Sequence, residues 1–86
     1  MEIYVYIVEC KDKSFYTGIT WNLRKRIFEH NSGLNISTKS KIPVKLVYWE
    51  KLPDRIEAAK REKEIRGWGR IKKMKLVEKF TLSQRS

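Results

Sequence analysis

The sequence predicts a small α+β fold whose elements follow one another in the order β-β-α-β-α-α. Two runs of β-branched and aromatic residues stand near the N-terminus with a short polar segment between them, and a third run stands in mid-chain. Segments with helical spacing and capping residues follow the second and third runs. The 86 residues allow one domain, which we expect over residues 1–80, followed by a short, frayed C-terminal tail over residues 81–86.

The first two strands are predicted to form a hairpin. Residues 3–10 and 14–20 are the two runs, and Lys11-Asp12-Lys13 is the loop between them. A three-residue loop pairs Cys10 with Ser14, and residues opposite each other in a hairpin share one face of the sheet. That register places on one face Tyr4, Tyr6, Val8, Tyr16 and Gly18, and on the other, apolar face Val5, Ile7, Phe15 and Ile19. A loop of two or four residues would instead split the tyrosines between the faces.

Capping residues delimit the first helix. Asn22 is a good N-cap, helical spacing runs from Leu23 to Asn31, and Gly33 ends the helix. The apolar stripe of this helix is predicted to consist of Leu23, Ile27 and Phe28.

The second half of the chain predicts one strand and two helices. After a polar, basic loop over residues 34–43, the run Val44–Glu50 is typical of a strand. Pro53-Asp54 begins a helix that continues to Arg66, and Gly67 ends it. A last, basic helix is predicted from Arg70 to about Phe80, with an inward side formed by Ile71 and Met74.

The composition narrows the class of protein. Twenty Lys and Arg residues against ten Asp and Glu give a formal net charge of +10. This charge favours a nucleic acid as partner, because phosphate contacts release condensed counterions. A surface charged for solubility, or one that prefers ribosomes or membrane surfaces, is the alternative. One Cys and one His argue against a disulfide framework and against most zinc sites.

Neither a targeting segment nor a membrane span is expected. The N-terminus has no basic region before an apolar stretch, so we expect no secretory signal. The longest apolar run, Ile3–Val8, is far too short to span a bilayer. We therefore expect a cytoplasmic protein without a membrane partner, in which Cys10 ends a strand and takes no part in chemistry.

Arg26 and His30 are candidate site residues on the first helix. They are four positions apart and therefore stack on the flank of its apolar stripe. A guanidinium there could hold a phosphate with two hydrogen bonds, and a neutral imidazole could accept or relay a proton. A solvated arginine beside a histidine at the core boundary is the alternative interpretation.

Glu62 is the most informative residue of the second helix. Its position at helical spacing from Ala58 and Ile65, with Ala59 adjoining, places a carboxylate on a core-facing stripe. Such a carboxylate is costly unless it is paired or bound to a metal. The alternative is an ion pair with Arg26 or Arg66. The opposite side of the helix is predicted to be solvated and carries Glu57, Lys60, Arg61 and Glu64.

Two tryptophans permit two interpretations. Trp21 and Trp68 could stack on unpaired bases, although packing at the core or its boundary is the expected role of both. The basic helix from Arg70 to Lys75 could likewise follow a phosphate backbone or present an ordinary solvated face.

Ordered short motifs over about residues 3–78 resemble one family. Tyr4-Val5-Tyr6 is followed ten residues later by Tyr16-Thr17-Gly18. The patterns Asn-Leu-x-x-Arg, Glu-His-Asn-x-Gly, Pro-Val-x-Leu-Val-Tyr and Glu-Ala-x-x-x-Glu then follow in order. This set is similar to the GIY-YIG nuclease domain, specifically to its short, stand-alone bacterial members of the UPF0213 type.

The resemblance implies a fold and a tyrosine-lined site. The fold is a three-stranded antiparallel sheet flanked by helices, with the site on one sheet face. Tyr6 matches the tyrosine proposed in the family as general base or water-positioning group. Tyr16 matches the tyrosine that helps to orient nucleophile and phosphate, and Gly18 matches the glycine that permits close backbone packing.

The resemblance also implies roles for three residues on helices. Arg26 matches the arginine that contacts the scissile phosphate, and His30 lies where relatives carry His or Tyr beside the attacking water. Glu62 matches the glutamate that holds a single divalent cation, Mg²⁺ or Mn²⁺. A cation held by one carboxylate would keep several of its waters.

Several positions depart from the family pattern. Tyr4-Val5 replaces the Gly-Ile that gives the family its name, and Lys13 stands where related loops often have Gly. Residues 37–41 lack the aromatic and arginine residues of relatives, which bears on substrate selection. Ile19 stands where excision-repair relatives have a lysine. Because no attached domain follows, we expect modest sequence specificity or a borrowed protein partner.

The resemblance therefore implies a metal-dependent DNA endonuclease that hydrolyses phosphodiesters by a one-metal mechanism. The alternatives are a non-catalytic nucleic-acid-binding module and a nuclease subunit that needs a partner. The residues do not distinguish DNA from RNA, single strands from duplex or branched substrates, or repair from recombination and defence, and they do not fix the oligomeric state. The expected nucleic-acid contacts are Arg24, Lys39, Lys41, Arg66, Arg70, Lys72 and Lys73.

Overall fold

The computed structural model of the chain describes residues 2–84 and has the predicted element order. Its strands are β1 (Ile3–Glu9), β2 (Phe15–Thr20) and β3 (Lys45–Leu52), and its helices are α1 (Leu23–Asn31), α2 (Arg55–Arg66) and α3 (Arg70–Ser83). One turn of 3₁₀ helix, Lys39–Lys41, lies between α1 and β3. The three strands form one antiparallel sheet in the order β2-β1-β3. The α+β class and the three-stranded sheet are therefore confirmed.

The β1–β2 hairpin has the three-residue loop that the sequence predicts. The Cys10 amide donates to the Ser14 carbonyl at 2.8 Å, and the Lys13 amide donates to the Cys10 carbonyl at 2.9 Å. Lys13 adopts a left-handed conformation with φ of 73°, which costs on the order of 1 kcal/mol for a residue with a Cβ. The resulting register pairs Tyr6 with Gly18 and Val8 with Tyr16, so the predicted faces are confirmed.

Each face of the sheet has its own apolar cluster. On one face Ile3, Val5, Ile7 and Tyr48 pack against Ala58 and Ile65 of α2 and against the apolar side of α3. On the other face Tyr6, Val8, Cys10 and Val44 are buried, and Leu23 and Ile27 of α1 pack against them. The candidate site tyrosines belong to this second face.

Capping residues fix where α1 and α2 begin. The Asn22 side chain accepts from the Lys25 amide at 3.0 Å, and the Asp54 side chain accepts from the Glu57 amide at 2.9 Å. Gly33 has φ of 78° just beyond α1, a conformation that glycine adopts without steric cost. These contacts explain why the predicted starts of both helices agree with the structure.

Three apolar residues that the sequence places inward are exposed. Phe28 is 69% exposed and Ile71 is 72% exposed. Met74 is also exposed. The inward face of α3 instead follows the spacing i, i+3, i+4, i+7 and consists of Lys73, Leu76, Val77 and Phe80. The predicted inward side of this helix is therefore wrong, because both of its sides carry apolar residues.

The predicted tail differs from the structure in its first residues. Thr81 to Ser83 continue α3, which therefore extends three residues past Phe80. The last two residues of the predicted tail, 85 and 86, lie outside the described residues. Over residues 2–84, none of the helices combines the length and the apolar character that crossing a membrane requires.

Candidate active site

A tyrosine and a histidine are in contact between β1 and α1. The Tyr6 hydroxyl lies 2.9 Å from His30 Nε2, and both side chains are completely buried. Tyr6 comes from the middle of β1, and His30 comes from the last turn of α1. A buried imidazole needs partners for both ring nitrogens, because an unpaired buried polar group is destabilising by about 1–3 kcal/mol.

Thr38 supplies the second partner of His30. Its Oγ1 lies 2.7 Å from His30 Nδ1, and its side chain is buried. The Thr38 amide donates to the Asn35 carbonyl, and the Thr38 carbonyl accepts from the Lys41 amide, so a tight turn fixes the hydroxyl. Thr38 is not among the site residues that the sequence predicts. The segment contains Ser37, Thr38 and Ser40, and no periodicity indicates which hydroxyl turns inward.

The three side chains form a hydrogen-bonded chain that accommodates either imidazole tautomer. When Nδ1 carries the proton, it donates to Thr38 and Tyr6 donates to Nε2. When Nε2 carries the proton, it donates to Tyr6 and Thr38 donates to Nδ1. The two hydrogen-bonding patterns differ only in where the protons lie between Tyr6, His30 and Thr38. A proton relay requires side chains that can exchange protons in this way.

Burial keeps Tyr6 and His30, the two titratable residues of this hydrogen-bonded chain, neutral. Burial raises the pKa of Tyr6 to about 12, and the nearby positive charge of Arg26 opposes that rise. Burial also lowers the pKa of His30, and the Arg26 charge lowers it further. At neutral pH Tyr6 therefore keeps its proton and His30 is an uncharged imidazole.

Tyr16 and Gly18 of β2 complete this face of the site. The Tyr16 ring meets the His30 ring edge-on, with centroids 5.4 Å apart. Tyr16 is half-buried, whereas Tyr6 is fully covered. A Cβ at Gly18 would lie 2.5 Å from the Tyr6 hydroxyl oxygen. Only glycine at this position leaves room for the Tyr6 phenol.

Arg26 is the cation beside the Tyr6–His30 pair. Its positive charge opposes the burial-driven rise in the pKa of the Tyr6 hydroxyl. Its Nε lies 3.4 Å from Glu29 Oε1, in an ion pair of which both members are about one-third exposed. Ion pairs this exposed contribute about 0–1 kcal/mol. The guanidinium is therefore weakly held and can turn toward an anion.

Glu62 approaches the site from α2, on the opposite face of the sheet. Its negative charge makes a smaller contribution than burial to raising the pKa of Tyr6. Its Oε2 lies 3.3 Å from Arg66 Nη2, and its side chain is 20% exposed. Arg66 Nη2 also lies 3.5 Å from the Thr17 carbonyl oxygen of β2. Of the two ion-pair partners considered from the sequence, the structure shows Arg66.

Two predictions about the faces of α2 are wrong. Ala59 is exposed and does not adjoin Glu62 on a buried stripe. Arg61, predicted to be solvated, is half-buried and donates to Glu50 and to Glu64 at 2.8 Å each. It also lies over the Trp68 ring. The buried stripe of α2 is narrow and consists of Ala58 and Ile65.

The donor set at Glu62 fits a hard divalent cation. Residues 2–84 contain no group of three or more His, Cys, Asp or Glu side chains arranged to hold a metal. A site with one carboxylate does not fit zinc, which requires three or four protein ligands. It does fit Mg²⁺, which is commonly bound by one or two carboxylates together with waters and substrate phosphates.

The predicted nucleic-acid contacts have different surroundings. Lys39 and Lys41 lie in the turn that carries Thr38, and Lys41 lies 4.0 Å from Asp12. Arg70 donates to the Lys13 carbonyl at 2.6 Å and lies over the Phe15 ring, and Lys72 lies over the Trp68 ring. Arg24 is exposed on α1, while Arg66 lies beside Glu62 and Lys73 is half-buried. The predicted set is therefore spread over several surfaces, and only the two lysines of the turn adjoin His30 through Thr38.

The predictions for Trp21 and Trp68 have different outcomes. Trp68 packs against the core cluster of α2 and α3, as expected. Trp21 is 60% exposed, so the expected packing role is wrong for this residue. It lies between the end of β2 and the N-cap of α1, where the chain turns at the surface.

Cys10 is buried just beyond β1, as expected.

Comparisons with known proteins agree on one family. A family model described as the GIY-YIG catalytic domain matches residues 2–75. A UPF0213 protein of Staphylococcus saprophyticus is 49% identical over 75 residues, which cover 86% of this chain and 92% of that protein. A UPF0213 protein of Haloquadratum walsbyi is 46% identical over 79 residues, covering 91% and 89%. The solution NMR structure of a UPF0213 protein from Bacillus halodurans is similar with a TM-score of 0.60 and 42% identity, covering 91% of this chain and 84% of that one.

Proposed function

Because this chain belongs to the GIY-YIG catalytic domain family, we propose that it is a metal-dependent DNA endonuclease of low sequence specificity that hydrolyses phosphodiester bonds. The family is a nuclease-type family, which implies a nucleic acid as partner. The observation that carries the proposal for this chain is the Tyr6–His30 contact of 2.9 Å with the Arg26 charge beside it. A proton acceptor next to a phosphate-binding cation is what phosphodiester hydrolysis needs.

Tyr6 and His30 move the proton of the attacking water. With a pKa of about 12, Tyr6 is a poor source of phenolate, but its oxygen can accept a proton while it donates its own to His30 Nε2. His30 receives that proton because its imidazole is neutral at physiological pH. Thr38, bonded to Nδ1, fixes the ring in the orientation that this transfer requires.

Arg26 and Tyr16 bind the scissile phosphate. The Arg26 guanidinium offers several donors to the non-bridging oxygens and stabilises the charge that develops on them. Tyr16 is the more accessible tyrosine and orients the same group through its hydroxyl.

Glu62 is the carboxylate that would hold the divalent cation. When bound, Mg²⁺ or Mn²⁺ would polarise the phosphate and neutralise charge on the leaving oxygen. Arg66 forms an ion pair with the Glu62 carboxylate. Its guanidinium would contact substrate phosphate once that ion pair separates. By resemblance to the family, the products carry 5′-phosphate and 3′-hydroxyl ends. One such site cuts one strand.

The proposal is tested by cleavage of end-labelled single-stranded, duplex and forked DNA, and of RNA, in Mg²⁺, Mn²⁺ or EDTA. The expected result is metal-dependent cutting that Glu62→Gln abolishes, while binding of the same strands in EDTA is retained. Glu57→Gln, an exposed carboxylate on the same helix, is the matched control and is expected to cut normally.

Two results would contradict the proposal. Equal activity of Glu62→Gln would remove the metal assignment. Tight binding without cutting under any metal would favour the non-catalytic binding module, or a nuclease subunit that needs a partner.

A further inference from the structure

Trp21 presents an exposed indole beside the candidate site. It follows β2, which carries Tyr16 and Gly18, and precedes Asn22, the N-cap of the helix that carries Arg26 and His30. Its exposed fraction is 60%. An apolar ring of this size gains roughly 25 cal/mol for each Å² that a ligand covers. The position therefore offers favourable contact area within one residue of the site-bearing helix.

Two surface depressions flank Trp21, and Arg26 lines both of them. One has a volume of about 110 Å³, and its remaining walls are Ile3, Ile19, Thr20 and Arg55. The Arg55 guanidinium lies 5.9 Å from the centre of the Trp21 ring. Arg55 is exposed at the start of α2, so its side chain can move aside for a ligand or stack on it.

The walls of the depression that Arg55 lines match the chemistry of one nucleotide. An indole and two isoleucines suit the flat, apolar faces of a base, and base–aromatic stacking works for every base because each has a π-face. The arginines suit the phosphates on either side of that base. A free aromatic ligand would use the indole but would offer no anionic group to either guanidinium.

We propose that Trp21 and Arg55 form a base-stacking subsite for the nucleotide next to the phosphate held by Arg26. The inference rests on the proposed function, because Arg26 is the phosphate-binding residue of that site. It names the substrate class as a strand in which this nucleotide is unpaired or splayed out. A base inside a duplex is stacked between its neighbours and must leave the stack before it can contact a protein ring.

The test compares two strands that differ only in their bases. Fluorescence anisotropy in EDTA measures binding of an end-labelled oligothymidylate and of an abasic strand of the same length, which keeps the phosphates. Wild type is expected to bind the base-bearing strand roughly tenfold more tightly. Trp21→Leu keeps an apolar side chain but no ring, and is expected to lose that preference. Trp21→Phe keeps a ring and most of the preference.

Phe28→Leu is the matched control. Phe28 is an exposed aromatic residue on α1 whose neighbouring depression does not include Arg26, and this variant is expected to keep the full preference. An undiminished preference in Trp21→Leu overturns the subsite. Equal wild-type affinity for both strands overturns the subsite while leaving the proposed function standing. Failure of wild type to bind either strand overturns both.

Discussion

Burial acts in opposite directions on the two titratable residues at the centre of the site. It raises the pKa of Tyr6 to about 12 and lowers that of His30, because a low-dielectric environment disfavours the charged form of each. Both residues are therefore neutral at physiological pH. A neutral His30 has an unprotonated ring nitrogen, so it can accept the proton that Tyr6 donates and becomes an imidazolium in doing so.

The lowered pKa of His30 predicts how stability depends on pH. Between the folded and unfolded pKa values the unfolded chain binds more protons, so folding stability falls as the pH drops below about 6.5. Each unit of lowering is worth about 1.4 kcal/mol. The sequence contains one histidine, so no other imidazole titrates in this range. The raised pKa of Tyr6 gives the opposite dependence, a loss of stability as pH rises from about 10 toward 12.

Thermal unfolding from about pH 5 to 8 measures this effect. Wild type is expected to lose stability toward the acid end more steeply than His30→Gln, which keeps hydrogen-bonding capacity but does not titrate. Parallel curves for the two proteins would show that His30 is not held neutral by the fold.

At the scale of elements, local signals predicted the hairpin and α1. The three-residue loop fixed the β1–β2 register, and the register alone placed Tyr6, Tyr16 and Gly18 on one face. Asn22 and Gly33 bounded α1 because caps act within one turn of the chain. These parts of the fold and of the candidate site depend on neighbours in sequence.

Other parts depend on packing that no local pattern contains. Helix α3 carries apolar residues on two sides, and contact with Tyr48 of β3 selects Phe80 rather than Ile71. Thr38 became a partner of His30 because a 3₁₀ turn brings its hydroxyl inward. Trp21 was expected to pack, but the turn from β2 into α1 leaves it at the surface.

The turn that carries Thr38 is predicted to act through His30. Thr38→Val keeps the shape of the side chain but removes the hydroxyl that pairs with His30 Nδ1. We expect a loss of about 1–3 kcal/mol in stability and slower cleavage with unchanged DNA affinity. Thr38→Ser restores the hydroxyl and is expected to rescue most of both.

NMR of the His30 ring nitrogens distinguishes this positioning role from simple destabilisation. Thr38→Val is expected to change the balance of the two tautomers, and Thr38→Ser to resemble wild type. An unchanged tautomer balance in Thr38→Val would contradict the positioning role, whatever the change in melting temperature.

For the whole molecule, the sheet separates structural and candidate functional roles. Each face carries an apolar cluster, and the face opposite α2 and α3 also carries the hydrogen-bonded chain of Tyr6, His30 and Thr38. Glu62 of α2 pairs with Arg66, which also reaches the Thr17 carbonyl of β2. The net charge of +10 surrounds this arrangement with a field that attracts phosphates.

The position of the basic residues predicts how binding depends on salt. The logarithm of affinity for duplex DNA falls with the logarithm of salt concentration by about 0.9 for each phosphate contact. Lys39→Gln, beside Thr38, is expected to reduce that slope by about one contact. Lys75→Gln, exposed on α3, removes the same charge away from the site and is expected to leave the slope unchanged. Equal slopes for the two variants would show that the surface acts only through its total charge.

The most direct test of the central claim compares two hydroxyl deletions on β1. Tyr6→Phe removes the hydroxyl that is hydrogen-bonded to His30. Tyr4→Phe removes a hydroxyl that is hydrogen-bonded to Glu2, and Tyr4 lies on the same face of the same strand as Tyr6. Under single-turnover conditions in Mg²⁺, with DNA affinity measured separately in EDTA, Tyr6→Phe is expected to cleave roughly 10²- to 10⁴-fold more slowly with unchanged affinity, while Tyr4→Phe cleaves like wild type. Cleavage by Tyr6→Phe at the wild-type rate would contradict the claim that the Tyr6 hydroxyl passes a proton to His30 during hydrolysis.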